Sequence, residues 1–162
     1  MKQRTEQDVF LTLAALCAQG EHCQYEMLEK MRRWEVDETV KARVMQKLVA
    51  GRYIDDERFA RAFVKDKVRY NKWGRRKVEQ ALWVKHISDD IRHKVLDEVD
   101  DEEYLAVLRP LLKQKRRTTK ATDEYDMNRK LCRFALSRGF LYNIIKQCID
   151  VSDEDELVDE DS

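Results

Sequence analysis

The chain has 162 residues, of which 40% are charged, and it contains only four glycines and one proline. Few backbone breakers together with apolar residues at three- and four-residue spacing predict an all-helical protein. The longest apolar run, residues 13–18, is far too short to cross a bilayer. No secretory leader is recognisable and the four cysteines form no CxxC pair, so we expect a reduced, soluble, cytoplasmic protein.

The net charge of zero conceals an asymmetry along the chain. Eight acidic residues and no Lys or Arg lie between Asp150 and Ser162. Setting these eight aside leaves 32 basic against 24 acidic residues, so the rest of the chain carries about +8. Such a body suits a polyanion such as nucleic acid, although a solvated helical protein can carry the same excess.

The first 50 residues contain the pattern of three helices. Apolar residues at helical spacing predict helices over 5–18, 22–34 and 37–50. Thr5 and Asp37 are predicted to cap the first and third helices, because short polar side chains there can accept the free backbone N–H groups.

The next 50 residues predict three more helices. The first starts at Asp55 or Asp56, runs to about Lys72 and breaks at Trp73 and Gly74. Two further helices follow before residue 100, and a Ser-Asp-Asp sequence is predicted to cap the second of them. The acidic pair before the first helix is more simply explained as caps than as a metal or acid–base site.

The last set of helices is predicted over residues 100–149. Pro110 is expected to kink or restart the first of them. The polar stretch 113–122 is predicted to be a frayed extension or a loop, and helices over 125–137 and 141–149 complete the set.

A weak internal repeat relates the three sets. When the short breaks at Val36, Ile87 and Phe140 are aligned, six columns contain only apolar or small residues, and the breaks lie 51 and 53 residues apart. This periodicity predicts three tandem three-helix repeats that form an extended, curved helical array. The predicted divisions are repeat 1 over 1–54, repeat 2 over 55–99, repeat 3 over 100–151 and an acidic disordered tail over 152–162.

The middle repeat resembles the RecX family of recombination regulators. The matching residues are Tyr53-Ile-Asp-Asp-Glu-Arg-Phe-Ala-Arg61, Phe63, Arg69, Gly74, Val78, Leu82 and His86-Ile-Ser88. The resemblance implies a non-enzymatic regulator that binds the RecA–single-stranded-DNA filament. It implies inhibition of ATP hydrolysis, strand exchange and the coprotease activity that triggers the SOS response. The acidic tail departs from the family pattern and is expected to weaken non-specific DNA binding.

Two clusters of basic residues are the candidate contacts. Arg58, Arg61, Lys65 and Arg69 share one helix face by their spacing, and residues 110–121 contain no acidic side chain. Trp73 is the candidate for stacking on unpaired bases, with core burial as the alternative. The full predicted set for RecA or DNA binding is Arg52, Arg58, Arg61, Lys65, Arg69, Lys72, Trp73, Arg75, Arg76, Lys77, Lys113, Lys115, Arg116, Arg117 and Lys120.

No motif in the chain predicts catalysis, a cofactor or a metal. Cys17, His22 and Cys23 lack a fourth ligand at zinc spacing, and the glycines are isolated. We therefore predict a monomeric regulator of RecA that binds single-stranded DNA and, weakly, double-stranded DNA. The alternatives are a stand-alone helical DNA-binding module and a helical protein-interaction scaffold.

Overall fold

The computed structural model describes residues 4–150, which form nine α-helices and no strand. The predicted all-helical fold is therefore confirmed, while the acidic tail predicted over 152–162 lies outside the described residues. None of the described helices is both long and apolar enough to span a membrane. The helices are α1 Glu6–Gln19, α2 Gln24–Arg33, α3 Glu38–Ala50, α4 Asp56–Arg69, α5 Arg75–Val84, α6 Asp89–Asp97, α7 Asp101–Thr118, α8 Glu124–Ser137 and α9 Tyr142–Ile145.

Contacts divide the chain into two compact units. The first contains the described chain up to Phe63 together with Leu82–Val95. The second contains Val64–Ala81 together with the described chain from Leu96. The residue limits of the three sequence repeats remain a prediction.

The first unit has a core built from α1, α2 and α3. Thr5 and Asp8 form a capping box at the start of α1, with reciprocal hydrogen bonds of 3.0 and 3.3 Å. Asp37 accepts from the amide of Thr39 at 3.0 Å and caps α3. Both predicted caps are present, and α1, α2, α3 and the turn after α3 bury a common set of side chains. These are Val9, Leu13, Ala14, Met27, Met31, Val44, Met45, Leu48 and Ile54.

The second unit contains a long helix that the sequence did not predict in full. Helix α7 continues across Pro110 to Thr118 without restarting, so residues 113–118 are helical rather than a loop. Pro110 is exposed, and the turns on either side of it bury Leu108 and Leu112, which holds the helix together where one backbone hydrogen bond is missing. Helices α8 and α9 both pack on α7.

Three helix ends share one backbone geometry. The residue before each aligned break has a positive φ, 55° at Glu35, 57° at His86 and 89° at Gly139. The next amide then donates to the carbonyl five residues earlier, at 3.1, 3.2 and 3.2 Å respectively. A left-handed residue followed by this bond is the Schellman ending of a helix. The breaks that aligned the sequence repeat are therefore structurally equivalent.

Candidate interaction surface

Trp73 lies between two lysines at the start of the second unit's basic region. The chain leaves α4 through Lys72, whose φ is 59°, and the amide of Trp73 donates to the carbonyl of Lys67 at 3.1 Å. The Nζ atoms of Lys67 and Lys77 lie 5.3 and 4.8 Å from the centre of the indole ring. The half-buried ring is thus in cation–π contact with two ammonium groups.

Two glycines fix the start of α5 against the turn between α8 and α9. The amide of Gly74 donates to the carbonyl of Arg138 at 2.8 Å, and the amide of Arg76 donates to Gly139 at 3.0 Å. A Cβ on Gly74 would lie 2.2 Å from a backbone nitrogen of that turn. A Cβ on Gly139 would lie 2.4 Å from the Cβ of Lys77, and its φ of 89° also favours glycine. Backbone packs directly on backbone here, which positions the first turn of α5.

Phe134 extends this arrangement to α7. The Nζ of Lys115 lies 4.9 Å from the centre of the Phe134 ring, and the guanidinium carbon of Arg138 lies 5.1 Å from it. Arg138 is also the residue whose carbonyl binds Gly74. Of the predicted binding residues, Trp73, Lys77 and Lys115 are therefore linked within the second unit through Gly74, Arg138 and Phe134. We call the set Lys67, Trp73, Lys77, Lys115, Phe134 and Arg138 the cation–aromatic surface.

Six further cations of the second unit are exposed. Three lie along or just after α4 and three lie along or just after α7. Within residues 4–150, none of the six forms an ion pair. Their charges are therefore available for a partner that carries negative charge. They are Lys65, Arg69, Lys72, Lys113, Arg117 and Lys120.

Two predicted arginines of the first unit already hold carboxylates. Arg58 binds Glu21 through its Nε, at 2.6 and 2.9 Å, and its Nη2 donates to the carbonyl of Arg52 at 3.1 Å. Arg61 binds Glu57 at 3.1 Å. Arg58 thus ties the end of α3 to the chain before α2, and its charge is already paired with Glu21.

Two predicted arginines of the second unit are paired in the same way. Arg75 binds Asp97 at 2.7 Å, and Arg116 binds both carboxylate oxygens of Glu124. The hydrogen bond from Arg116 holds the pKa of Glu124 below its ordinary value. Two predicted members remain: Arg76 is half-buried in the second unit, and Arg52 is exposed just after α3 in the first unit. Contact with RecA or DNA stays a prediction for each of these residues.

The acidic pair Asp55 and Asp56 at the start of α4 caps helices, as expected, but the two residues cap different helices. Asp55 accepts from the amide of Arg58 at 3.0 Å and caps α4. Asp56 instead accepts from the amide of Gln24 at 2.9 Å, so it caps α2 from across the first unit. Burial raises the pKa of Asp56.

The cysteine and histidine just before α2 make other contacts. Burial raises the pKa of Cys23 to about 11, and the Nδ1 of His22 lies 3.3 Å from Glu26. Within residues 4–150, no group of three or more His, Cys, Asp or Glu side chains is arranged to hold a metal ion.

An open aromatic groove lies on the first unit and was missed from the sequence. Helical spacing alone would place Trp83 on an apolar helix face, but its side chain is 67% exposed. Beside it, Tyr25 stacks on His86 with ring centres 4.1 Å apart and planes 9° apart. With Arg92 and two aliphatic side chains, these residues line a groove of about 560 Å³.

The fold and the cation–aromatic surface define the class of protein. It is an all-helical protein of three-helix units with repeated helix endings, and its second unit presents cations together with aromatic rings. Models of known families carry the assignment further. The second three-helix domain of RecX matches residues 55–96, and the third three-helix domain of RecX matches residues 101–149.

Individual relatives agree with these matches. The regulatory protein RecX of Chlorobium limicola is 32% identical over 130 residues, which cover 79% of each chain. That of Clostridium perfringens strain SM101 is 32% identical over 120 residues, which cover 73% of this chain and 56% of that protein. The chain spans about half the length of several of the curated relatives it matches. The crystal structure of RecX from Lactobacillus salivarius matches with a TM-score of 0.79 at 19% identity, over 88% of this chain and 93% of that one, and shares the fold. The chain belongs to the RecX family, which confirms the resemblance recognised in the sequence.

Proposed function

We propose that this protein binds the RecA–single-stranded-DNA filament and inhibits the recombinase, ATPase and coprotease activities of RecA. It would thereby modulate DNA repair and the SOS response in the cytoplasm. Membership of a family of regulatory proteins supports a regulatory role. The observation that carries the proposal is the cation–aromatic surface, which links cations and aromatic rings that are about 40 residues or more apart in sequence.

The chemistry of this surface suits a single strand held in a filament. Its cations, and the exposed Lys113 and Arg117 elsewhere on α7, can neutralise phosphates and release counterions. The rings of Trp73 and Phe134 provide apolar faces beside Lys77 and Lys115, as in sites that bind unpaired bases. Acidic side chains of a filament groove would be recognised by the same cations, so the surface serves protein and DNA contacts alike.

The proposed mechanism is steric and electrostatic rather than catalytic. A folded helical body lodged against the filament hinders the rearrangement or addition of RecA subunits. The Gly74 and Gly139 contact supports this role because it holds the cations of α5 in a fixed position relative to α7 and α8. No bond is made or broken by the protein.

The test is the single-strand-dependent ATP hydrolysis of RecA, measured with increasing amounts of this protein. We expect inhibition below one molecule per RecA protomer. The double variant Lys113→Gln/Arg117→Gln should inhibit less, and its affinity for single-stranded DNA should depend less on salt, with the slope reduced by about 0.7 for each phosphate that is no longer neutralised. The matched control is Lys30→Gln/Arg33→Gln, which removes two charges from the last turn of α2 in the first unit.

Unchanged ATP hydrolysis at all ratios would reject the proposal. If the protein then still binds DNA with a steep salt dependence, it is a stand-alone DNA-binding module. If it binds neither, the basic residues form an ordinary solvated face and a protein-interaction scaffold is the better description.

A further inference from the structure

The outward face of α7 is a row of cations without partners among residues 4–150. Arg109, Lys113 and Arg117 recur every four residues, so they lie one above another on the helix, and Lys120 follows just beyond its end. All four side chains are exposed. Arg116, one residue before Arg117, is instead bound to Glu124. The row spans about 12 Å from Arg109 to Arg117, at about 1.5 Å per helical residue.

The described chain ends beside this row. Helix α9 packs on α7, and Cys148 follows α9 by three residues. Burial raises the pKa of the Cys148 thiol, and the nearby guanidinium of Arg109 opposes that rise. The described chain, which ends at Asp150, therefore comes close to Arg109 two residues before its end.

The sequence of the segment 151–162, which lies outside the described residues, complements the row in charge. Seven of its twelve residues are acidic and none is basic. An extended chain of twelve residues reaches up to roughly 40 Å, about three times the length of the row. Because the segment is tethered, its effective concentration at the row is on the order of millimolar. Charge complementarity and reach together point to one occupant.

We propose that the acidic segment 153–161 binds the cationic face of α7 within the same molecule and competes there with a polyanionic partner. Exposed charges interact weakly in pairs, so the contact is reversible and weakens as salt rises. The inference does not depend on RecA being the partner, because any polyanion must displace the segment. The competing segment therefore lowers the affinity of this face of α7 for polyanions.

The direct test compares backbone NMR shifts of the 162-residue chain with those of a variant of the same length in which the seven acidic residues are replaced by the corresponding amides. These residues are Asp153, Glu154, Asp155, Glu156, Asp159, Glu160 and Asp161. We expect shift differences concentrated at residues 109–120 in about 50 mM salt, and their disappearance in about 0.5 M salt, where the Debye length is a few ångströms. Identical shifts at residues 109–120 in low salt would overturn the proposal.

A binding cycle separates a docked segment from general repulsion of DNA. The amide variant should bind fluorescent oligothymidylate about tenfold more tightly at low salt, on the scale expected when a few carboxylates no longer compete with phosphates. In a Lys113→Glu/Arg117→Glu background the same change should have less than about a twofold effect, since the two changes act on one interaction. A Lys30→Glu/Arg33→Glu background should keep the full effect. Equal tightening in both backgrounds would show that the segment acts only through net charge, and would overturn the docking.

Discussion

Substitution of Gly74 by alanine tests the central packing contact of the second unit. The new Cβ would lie 2.2 to 2.4 Å from backbone atoms of Gly139 and Phe140, and none of these is the flexible end of a side chain. Relief requires α5 to move, which lengthens the hydrogen bonds from Gly74 to Arg138 and from Arg76 to Gly139. Overpacking costs about 1–3 kcal/mol and each weakened hydrogen bond about 1 kcal/mol. Alanine also stiffens the unfolded chain, which stabilises the protein by less than about 1 kcal/mol. We therefore expect the free energy of unfolding to fall by about 3 kcal/mol in total.

Thermal and urea unfolding followed by circular dichroism measure this loss. For a chain of this size, 3 kcal/mol corresponds to a fall of roughly 6–12 °C in Tm. Gly20→Ala is the matched control, because a Cβ there meets no atom within 4 Å and should leave the stability nearly unchanged. Equal effects of the two substitutions would refute the reasoning from close backbone approach.

Three further predictions concern charged and titrating groups. Glu21→Gln should lower the free energy of unfolding by less than about 1 kcal/mol in urea titration, because its pair with Arg58 is solvent-exposed. Hydrogen bonds from Arg129, a backbone amide and an ammonium group hold the pKa of Asp126 at about 2. The stability that ionised Asp126 contributes is therefore fully present above its ordinary pKa of 3.8 and is lost as pH falls through about 2. The difference in free energy of unfolding between Asp126→Asn and the unsubstituted protein, measured in urea, should shrink over that interval. Burial raises the pKa of Tyr104 to about 12, so the stability contributed by its neutral hydroxyl is intact below pH 10 and is lost as pH rises through 12. The free energy of unfolding of Tyr104→Phe should therefore fall less over that pH range than that of the unsubstituted protein.

Most of the helices could be predicted from the sequence because their signals are local. Thr5, Asp37 and Asp55 lie where their side chains can accept free amides, and the apolar spacing behind them belongs to a helix. The extent of α7 could not be predicted this way. Pro110 lowers local helix propensity, and only the burial of Leu108 and Leu112 in the second unit overrides it.

The candidate surface was only partly predictable for the same reason. Charge runs showed where cations are abundant, but they could not show that Arg58 would be bound by Glu21, 37 residues away. Phe134 and Arg138 gave no signal of their own, since Phe134 gains its role from Lys115 on α7 and Arg138 gains its role from the amide of Gly74 just before α5. Trp83 and Trp73 both fall near helix ends, and only the fold shows which of the two indole rings is exposed.

The left-handed helix endings have a consequence for the unfolded chain. Among residues 4–150, four of the five residues with φ between +55° and +89° are not glycine, namely Glu35, Arg52, Lys72 and His86. Each costs about 1–2 kcal/mol of steric strain in the native state. Glycine at these positions would remove that strain but would give the unfolded chain more conformations to lose, at about 0.5–1 kcal/mol each. About half of the strain is therefore offset by a stiffer denatured ensemble, which lowers the net cost in stability at which a chain with four glycines ends its helices sharply.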